Sequence, residues 1–102
     1  MNKLSKTEII NTKQKALDLF KKSSFNKAID LLNKIISEDN EKDYLCFFLL
    51  GTSYLYERNL ELAEKNLKIS LDQNQNYYNS NHNLGVTLQL KGNFNEAKID
   101  TR

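Results

Sequence analysis

The sequence predicts an all-α fold built from about three helical hairpins, and three observations carry that prediction. The first is self-similarity. Gly51 and Gly85 stand 34 residues apart, each preceded by a leucine (Leu50, Leu84) and each followed twelve residues later by an alanine (Ala63, Ala97). Ala28 lies 35 residues before Ala63, with Ala16 again twelve before it. A period of this size marks stacked repeats, in which no single unit can bury its own apolar face. The second is the scarcity of breakers, with no proline and three glycines in 102 residues; these two residue types are the main interruptions of a helix. The third is apolar spacing of three to four residues, the signature of one buried helical face.

The elements follow in order. Ser5 and Glu8 have the spacing of a capping box, so the first helix starts near Lys6. Its stripe is Ile9 or Ile10, Ala16, Leu17, Leu19 and Phe20. Lys22-Ser23-Ser24 is a turn, and Phe25-Asn26-Lys27-Ala28 opens a second helix that continues through Ile29, Leu31, Leu32, Ile35 and Ile36. The polar run from Ser37 to Glu41 is a connection. Asp43 can cap a third helix beginning near Tyr44 and carrying Phe47, Leu50, Gly51, Tyr54 and Leu55. Glu57-Arg58-Asn59 turns the chain, and Leu60-Glu61-Leu62-Ala63 begins a fourth helix with Leu67, Ile69 and Leu71 behind it; Gln73 to Asn76 ends it. A third unit repeats the plan from Tyr78 through Leu84, Gly85 and Leu88. It predicts a turn at Lys91-Gly92-Asn93 and a sixth, truncated helix opening at Phe94-Asn95-Glu96-Ala97. The units of this one domain, residues 1–102, are therefore 9–43, 44–77 and an incomplete 78–102.

The recurring small residues have a packing reason. Antiparallel helices approach closely only where something small sits at the nearest point of their axes. Ala16, Gly51 and Gly85 are placed to supply it in the first helices, and Ala28, Ala63 and Ala97 in the second. Glycine inside a helix costs about 0.5–1 kcal/mol relative to alanine, so two at equivalent places ask for a compensating contact. Phe47, Leu50, Tyr54, Leu67 and Leu71 are the expected filling between hairpins.

Composition narrows the function. The longest apolar run, Leu45 to Leu50, is far too short to span a bilayer. No signal core follows Met1-Asn2-Lys3, so a cytoplasmic location is expected, without membrane insertion. A lone cysteine, Cys46, fits a reducing compartment. A net charge of +2 gives no electrostatic case for nucleic acid. The first 22 residues hold six lysines against Glu8 and Asp18. That basic face reads as a solvated cap first, and as a contact for an acidic partner or a membrane surface second.

No catalytic set emerges. His82 and Cys46 are each single, and the repeat register puts them on first helices of different units. A buried cysteine more often serves as a small hydrophobe. No cluster of His, Cys and carboxylates has metal-ligand spacing. The acidic run Glu38-Asp39-Asn40-Glu41-Lys42-Asp43 lacks the glycine and the spacing of a calcium loop. Each glycine is single, unlike a phosphate-binding loop. The expectation is a protein without catalysis, cofactor or metal.

From Ile9 onward the chain resembles the tetratricopeptide repeat, whose signature is W-x2-L-G-x2-Y, then A-x3-F, then P. Leu50-Gly51-Thr52-Ser53-Tyr54 with Ala63 is the firmest match. The pattern departs elsewhere: Thr12, Phe47 and Asn81 take the tryptophan position, Lys15-Ala16 replaces Leu-Gly, and Thr101 stands for the late phenylalanine. The resemblance implies a right-handed α-α superhelix (a solenoid) that serves as a protein-interaction module or scaffold. It also implies a closing polar helix that this chain, stopping at Thr101-Arg102, does not supply. Two expectations follow, a piece of a longer protein or an open last hairpin covered by another copy.

In this family the concave face is lined mainly by first helices. The positions it implies here are Ile10, Lys13, Gln14, Leu17 and Lys21 in unit one, Leu45, Phe48, Leu49, Thr52 and Tyr56 in unit two, and Asn79, His82, Asn83, Val86 and Leu90 in unit three. An apolar-aromatic centre flanked by amides is what an extended peptide or a partner helix would use. Because Phe47 and Leu50 already serve packing, Phe48 and Leu49 should point elsewhere. Groove recognition, self-association through the last hairpin and local packing are three readings of that pair. Members that grip a chaperone's C-terminal carboxylate use several cations. Here Lys13 matches one position, and Leu17, Leu49, Asn79 and Asn83 occupy the rest, so such binding is not expected.

Overall fold

The computed structural model of the chain describes residues 3–38 and 43–100, with side chains up to Asn93. It is all-α, with five helices and no strand among the described residues: α1 (Lys6–Lys21), α2 (Phe25–Glu38), α3 (Tyr44–Tyr56), α4 (Leu60–Gln73) and α5 (Tyr78–Asp100). The expected capping box is present. The Ser5 hydroxyl accepts from the Glu8 amide at 3.1 Å, and the Ser5 amide donates to Glu8 Oε1 at 2.9 Å. That donation from the Ser5 backbone, with the hydroxyl contact, holds the Glu8 carboxyl below its usual range. Asp43 caps α3 through the Leu45 amide and Asn59 caps α4 through the Leu62 amide.

The first two turns are one device used twice. In α1 the amides of Ser23 and Ser24 donate back to the carbonyls of Phe20 and Leu19, with Ser23 at φ 62°. In α3 the amides of Arg58 and Asn59 donate to Leu55 and Tyr54, with Arg58 at φ 65°. This paired back-bonding around one left-handed residue is the Schellman closure, which satisfies the last carbonyls and reverses the chain within three residues. Helices α1/α2 and α3/α4 are therefore hairpins.

The third turn is different, and it corrects the sequence reading. Lys91-Gly92-Asn93 is helical, α5 runs 23 residues without interruption, and Gly92 has no positive φ. Five helices stand where six were expected. Glycine costs a helix interior only about 1 kcal/mol, so Gly92 alone does not break α5, and the helical hydrogen bonds across it are kept. The Ala97 packing position and Thr101 lie outside the described side chains. Ser37 and Glu38, expected in a polar connection, are instead the last two residues of α2, and residues 39–41 of that connection lie outside the described residues.

Chain order sets the packing. Helices α3 and α4 make the most extensive contact, while α1 with α2, α4 with α5 and α2 with α3 pack next to one another in sequence. The assembly is elongated, 54 × 27 × 25 Å. Ala16, Ala28, Leu32, Ile35, Cys46 and Leu50 form the first core cluster, flanked by Ile9, Leu19, Phe20, Ile29, Leu31, Ile36, Leu49 and Tyr54. The small residues earn their places here: Ala16, Ala28 and Ala63 are completely buried. At Gly51 a Cβ would stand 2.7 Å from Leu67 Cγ and 3.0 Å from the Leu67 backbone nitrogen, so α3 and α4 touch backbone to side chain at this point.

Gly85 does not share that environment. It is exposed, and a Cβ there would meet no described atom within 4 Å. The close approach expected at Gly85 needs a helix folded back after Gly92, and α5 continues straight instead.

The α4–α5 joint is polar, unlike the others. Ser70 and Ser80 are fully buried, their hydroxyls 2.7 Å apart, and Ser70 also donates to the Tyr44 carbonyl at 2.8 Å. Thr87 and Ser53 bond back to carbonyls one turn earlier in their own helices. No buried side-chain polar atom among the described residues lacks a partner, so this interface is specific without being strongly apolar. None of the helices is long and apolar enough to cross a membrane.

Candidate functional site

The site implied by the register is carried by α1, α3 and α5. Its residues separate into those brought together and those left apart. At the centre, Asn83 Nδ2 of α5 donates to Thr52 Oγ1 of α3 at 2.9 Å, which ties two first helices across one side of the fold. Thr52 is buried and Asn83 half-buried. Val86 and Leu17 are half-buried on the flanking helices.

Phe48 sits in a run of aromatic rings. It lies 6.4 Å from Phe20 and 5.4 Å, edge to face, from Tyr77. The run extends from Tyr77 to Tyr44 (4.9 Å), and on the other side from Phe20 to Phe25 (5.6 Å) and from Phe25 to Tyr56, stacked at 4.8 Å. Six rings from α1, α2, α3 and the α4–α5 connection thus form one continuous strip. Centroid separations of 4.5–7 Å, edge to face or offset, are favourable for aromatic pairs. All are only partly covered, and Tyr56 is 61% exposed. Leu45 and Ile10 are also exposed apolar residues on these helices.

Leu49 behaves otherwise. It packs against the first core cluster, so Phe48 and Leu49 do not form one outward pair. Consecutive helical residues are about 100° apart, so the two side chains need not share a surface.

The polar members are engaged locally. Lys13 Nζ lies 3.1 Å from Asp43 Oδ2, bridging α1 to the start of α3. Gln14 donates to Asp18 one turn on, and Asn79 donates to the Tyr77 hydroxyl. His82 is exposed with its ring stacked on Tyr78 at 5.8 Å. Cys46 is buried with its sulfur 3.8 Å from Asp43 Oδ2. Among the described residues no group of three or more His, Cys, Asp or Glu side chains converges as a metal site.

Two features escaped the sequence reading. Tyr77 belongs to a connection, so no helical period singles it out, yet it closes the ring strip. The other is a cleft of about 850 Å3 where the α3–α4 turn faces α5, lined by Glu57, Arg58, Asn59, Leu60, Glu61, Leu90 and Lys91. In the repeat register Leu60 and Leu90 stand where Phe25 and Tyr56 stack one unit earlier. Two aliphatic side chains replace two rings, and the joint is left open.

Lys91 braces this cleft, with its ammonium 3.0 Å from Glu61 and bonded to Glu64, which Lys68 also contacts at 2.6 Å. The hydrogen bonds from Lys68 and Lys91 push the Glu64 carboxyl down to about 2 from an ordinary 4.5. A carboxylate whose folded pKa is depressed adds stability above its unfolded pKa and loses it as pH falls through the folded one. Wild type should therefore melt above Glu64→Gln at neutral pH, the gap closing between pH 4.5 and about 2. Melting temperatures of both proteins across that range check this, and a gap that persists at pH 2 contradicts it.

Comparison of the chain with protein-family models, with curated proteins and with solved structures gives no match.

Proposed function

We propose that this protein is a non-catalytic protein-interaction module, which docks a peptide or helical segment of a partner protein along the side carrying Phe48, Thr52, Asn83 and Tyr56. In this reading α1/α2 and α3/α4 are two tetratricopeptide-like units and α5 opens a third. The stack is right-handed, with first helices lining its hollow side. The observation that carries the reading is the half-covered strip of six rings beside the Thr52–Asn83 bond. Aromatic rings offer large apolar contact at low conformational cost, and an adjacent amide can bond a peptide backbone.

The chemistry needed is recognition alone. Cys46 is buried beside Asp43, whereas His82 is exposed and stacked on Tyr78, so the two are not presented as a nucleophile and its base. Lys13 is drawn to Asp43, which leaves a terminal carboxylate poorly served and argues against chaperone-tail binding.

Selection from a random peptide library, followed by titration of the winners, tests the reading. Tyr56→Ala and Asn83→Ala should each weaken binding about fivefold or more, in line with a loss of about 1 kcal/mol per contact. Both changes sit at exposed or half-exposed positions, and unchanged melting curves would confirm that the fold is intact. Winners that ignore both substitutions, or no winner tighter than about 1 mM, would sink the proposal.

A further inference from the structure

We infer that the outer face of α5, around Gly85, is a docking site for a second copy of this chain, whose segment from Phe94 onward seats on it in a reciprocal exchange. The inference starts from a pattern completed twice and left open once. Ala16 and Gly51 are the small residues on which α2 and α4 close, and Leu32 and Leu67, sixteen residues after each, are fully buried. Those covering helices open with Phe25-x-x-Ala28 and Leu60-x-x-Ala63, immediately after left-handed Ser23 and Arg58.

Helix α5 holds the turn and the opening of a third closure, with Thr101 standing sixteen residues after Gly85 where Leu32 and Leu67 stand in the first two. Gly85 is the small residue. Gly92 occupies the register of Ser23 and Arg58, where glycine is the residue best suited to a positive φ. Asn93 occupies that of Ser24 and Asn59, and Phe94-x-x-Ala97 matches the two covering segments. Yet α5 is straight. Lys91 pairs with Glu61 in the first turn of α4, so the nine residues from Gly92 to Asp100 are carried past that helix by roughly 13 Å at 1.5 Å per residue.

The result is a seat and its cover in one molecule, held apart. Gly85 is exposed with no described atom near its Cβ position, and Leu88 on the same side is 45% exposed. The sequence that fits such a seat is the one the straight helix takes away from it. A second copy supplies that segment, and a two-fold axis satisfies both seats at once, as exchange of an identical element requires. Phe48, Thr52 and Asn83 take no part, so this inference and the groove proposal stand or fall separately.

Sedimentation velocity of the 102-residue chain from low micromolar to near millimolar concentration tests it. Wild type should pass from one chain to two. Gly85→Leu should stay a single chain throughout, with a melting temperature no lower than wild type, because its side chain points into open space in the separate molecule. Gly92→Ala should tighten the dimer by roughly tenfold, since folding back onto the same molecule needs a left-handed residue there. A wild type that remains one chain at every concentration overturns the inference. So does a dimer indifferent to Gly85→Leu, or one that Gly92→Ala dissociates.

Discussion

Replacing Leu67 with alanine should lower the unfolding free energy by about 2–5 kcal/mol, the largest loss expected from a single truncation here. Leu67 is fully buried and lies against Gly51, where α3 and α4 make the most extensive helix contact of the fold. A leucine in such a place loses both the transfer free energy of its methyl groups and the contacts around the space left behind. Collapse of that space is hindered, because the backbones of α3 and α4 already meet there. Chemical denaturation monitored by circular dichroism gives the number. A loss below about 1 kcal/mol would mean that the α3–α4 seam is not the centre of stability.

The second prediction sets two glycines against each other. Both sit inside helices, so alanine should add about 0.5–1 kcal/mol at either by intrinsic propensity. At Gly51 the new Cβ would stand 2.7 Å from Leu67 Cγ and 3.0 Å from its backbone nitrogen. Overpacking of that severity costs about 1–3 kcal/mol, and a backbone atom cannot turn aside, so the clash should win. Gly51→Ala is expected to destabilise by about 1–2 kcal/mol net, and Gly85→Ala to stabilise by about 0.5–1 kcal/mol, measured below any dimerising concentration. The pair Gly51→Ala with Leu67→Ala should be less than additive, because the second change removes Cγ and Cδ2, two of the atoms the first one strikes. Equal effects at the two glycines would mean that their surroundings are alike, against the geometry.

Much of the fold was legible before any coordinates. The Ser5–Glu8 box, the Asp43 cap, the turns at residues 22–24 and 57–59, and the burial of Ala16, Ala28 and Ala63 all rest on local chemistry or on a spacing that recurs. The candidate site was less legible. The register grouped Phe48, Thr52 and Asn83, but it could not show that Leu49, half-buried, packs against the first core cluster or that Tyr77 completes the ring strip. Those depend on which neighbouring helix covers which side, and spacing along one helix says nothing about that.

By itself, the sequence determined where helices begin, which faces are apolar, and where two rods can touch, because each of these follows from interactions within a few residues or from a repeated period. Only the tertiary structure decided the fate of Gly85 and Gly92. Lys91-Gly92-Asn93 has the residues for a turn, yet α5 stays helical there. A turn is kept when the segment after it gains more by packing than the helix loses in hydrogen bonds. That balance is set by the surface on offer, which local sequence does not contain.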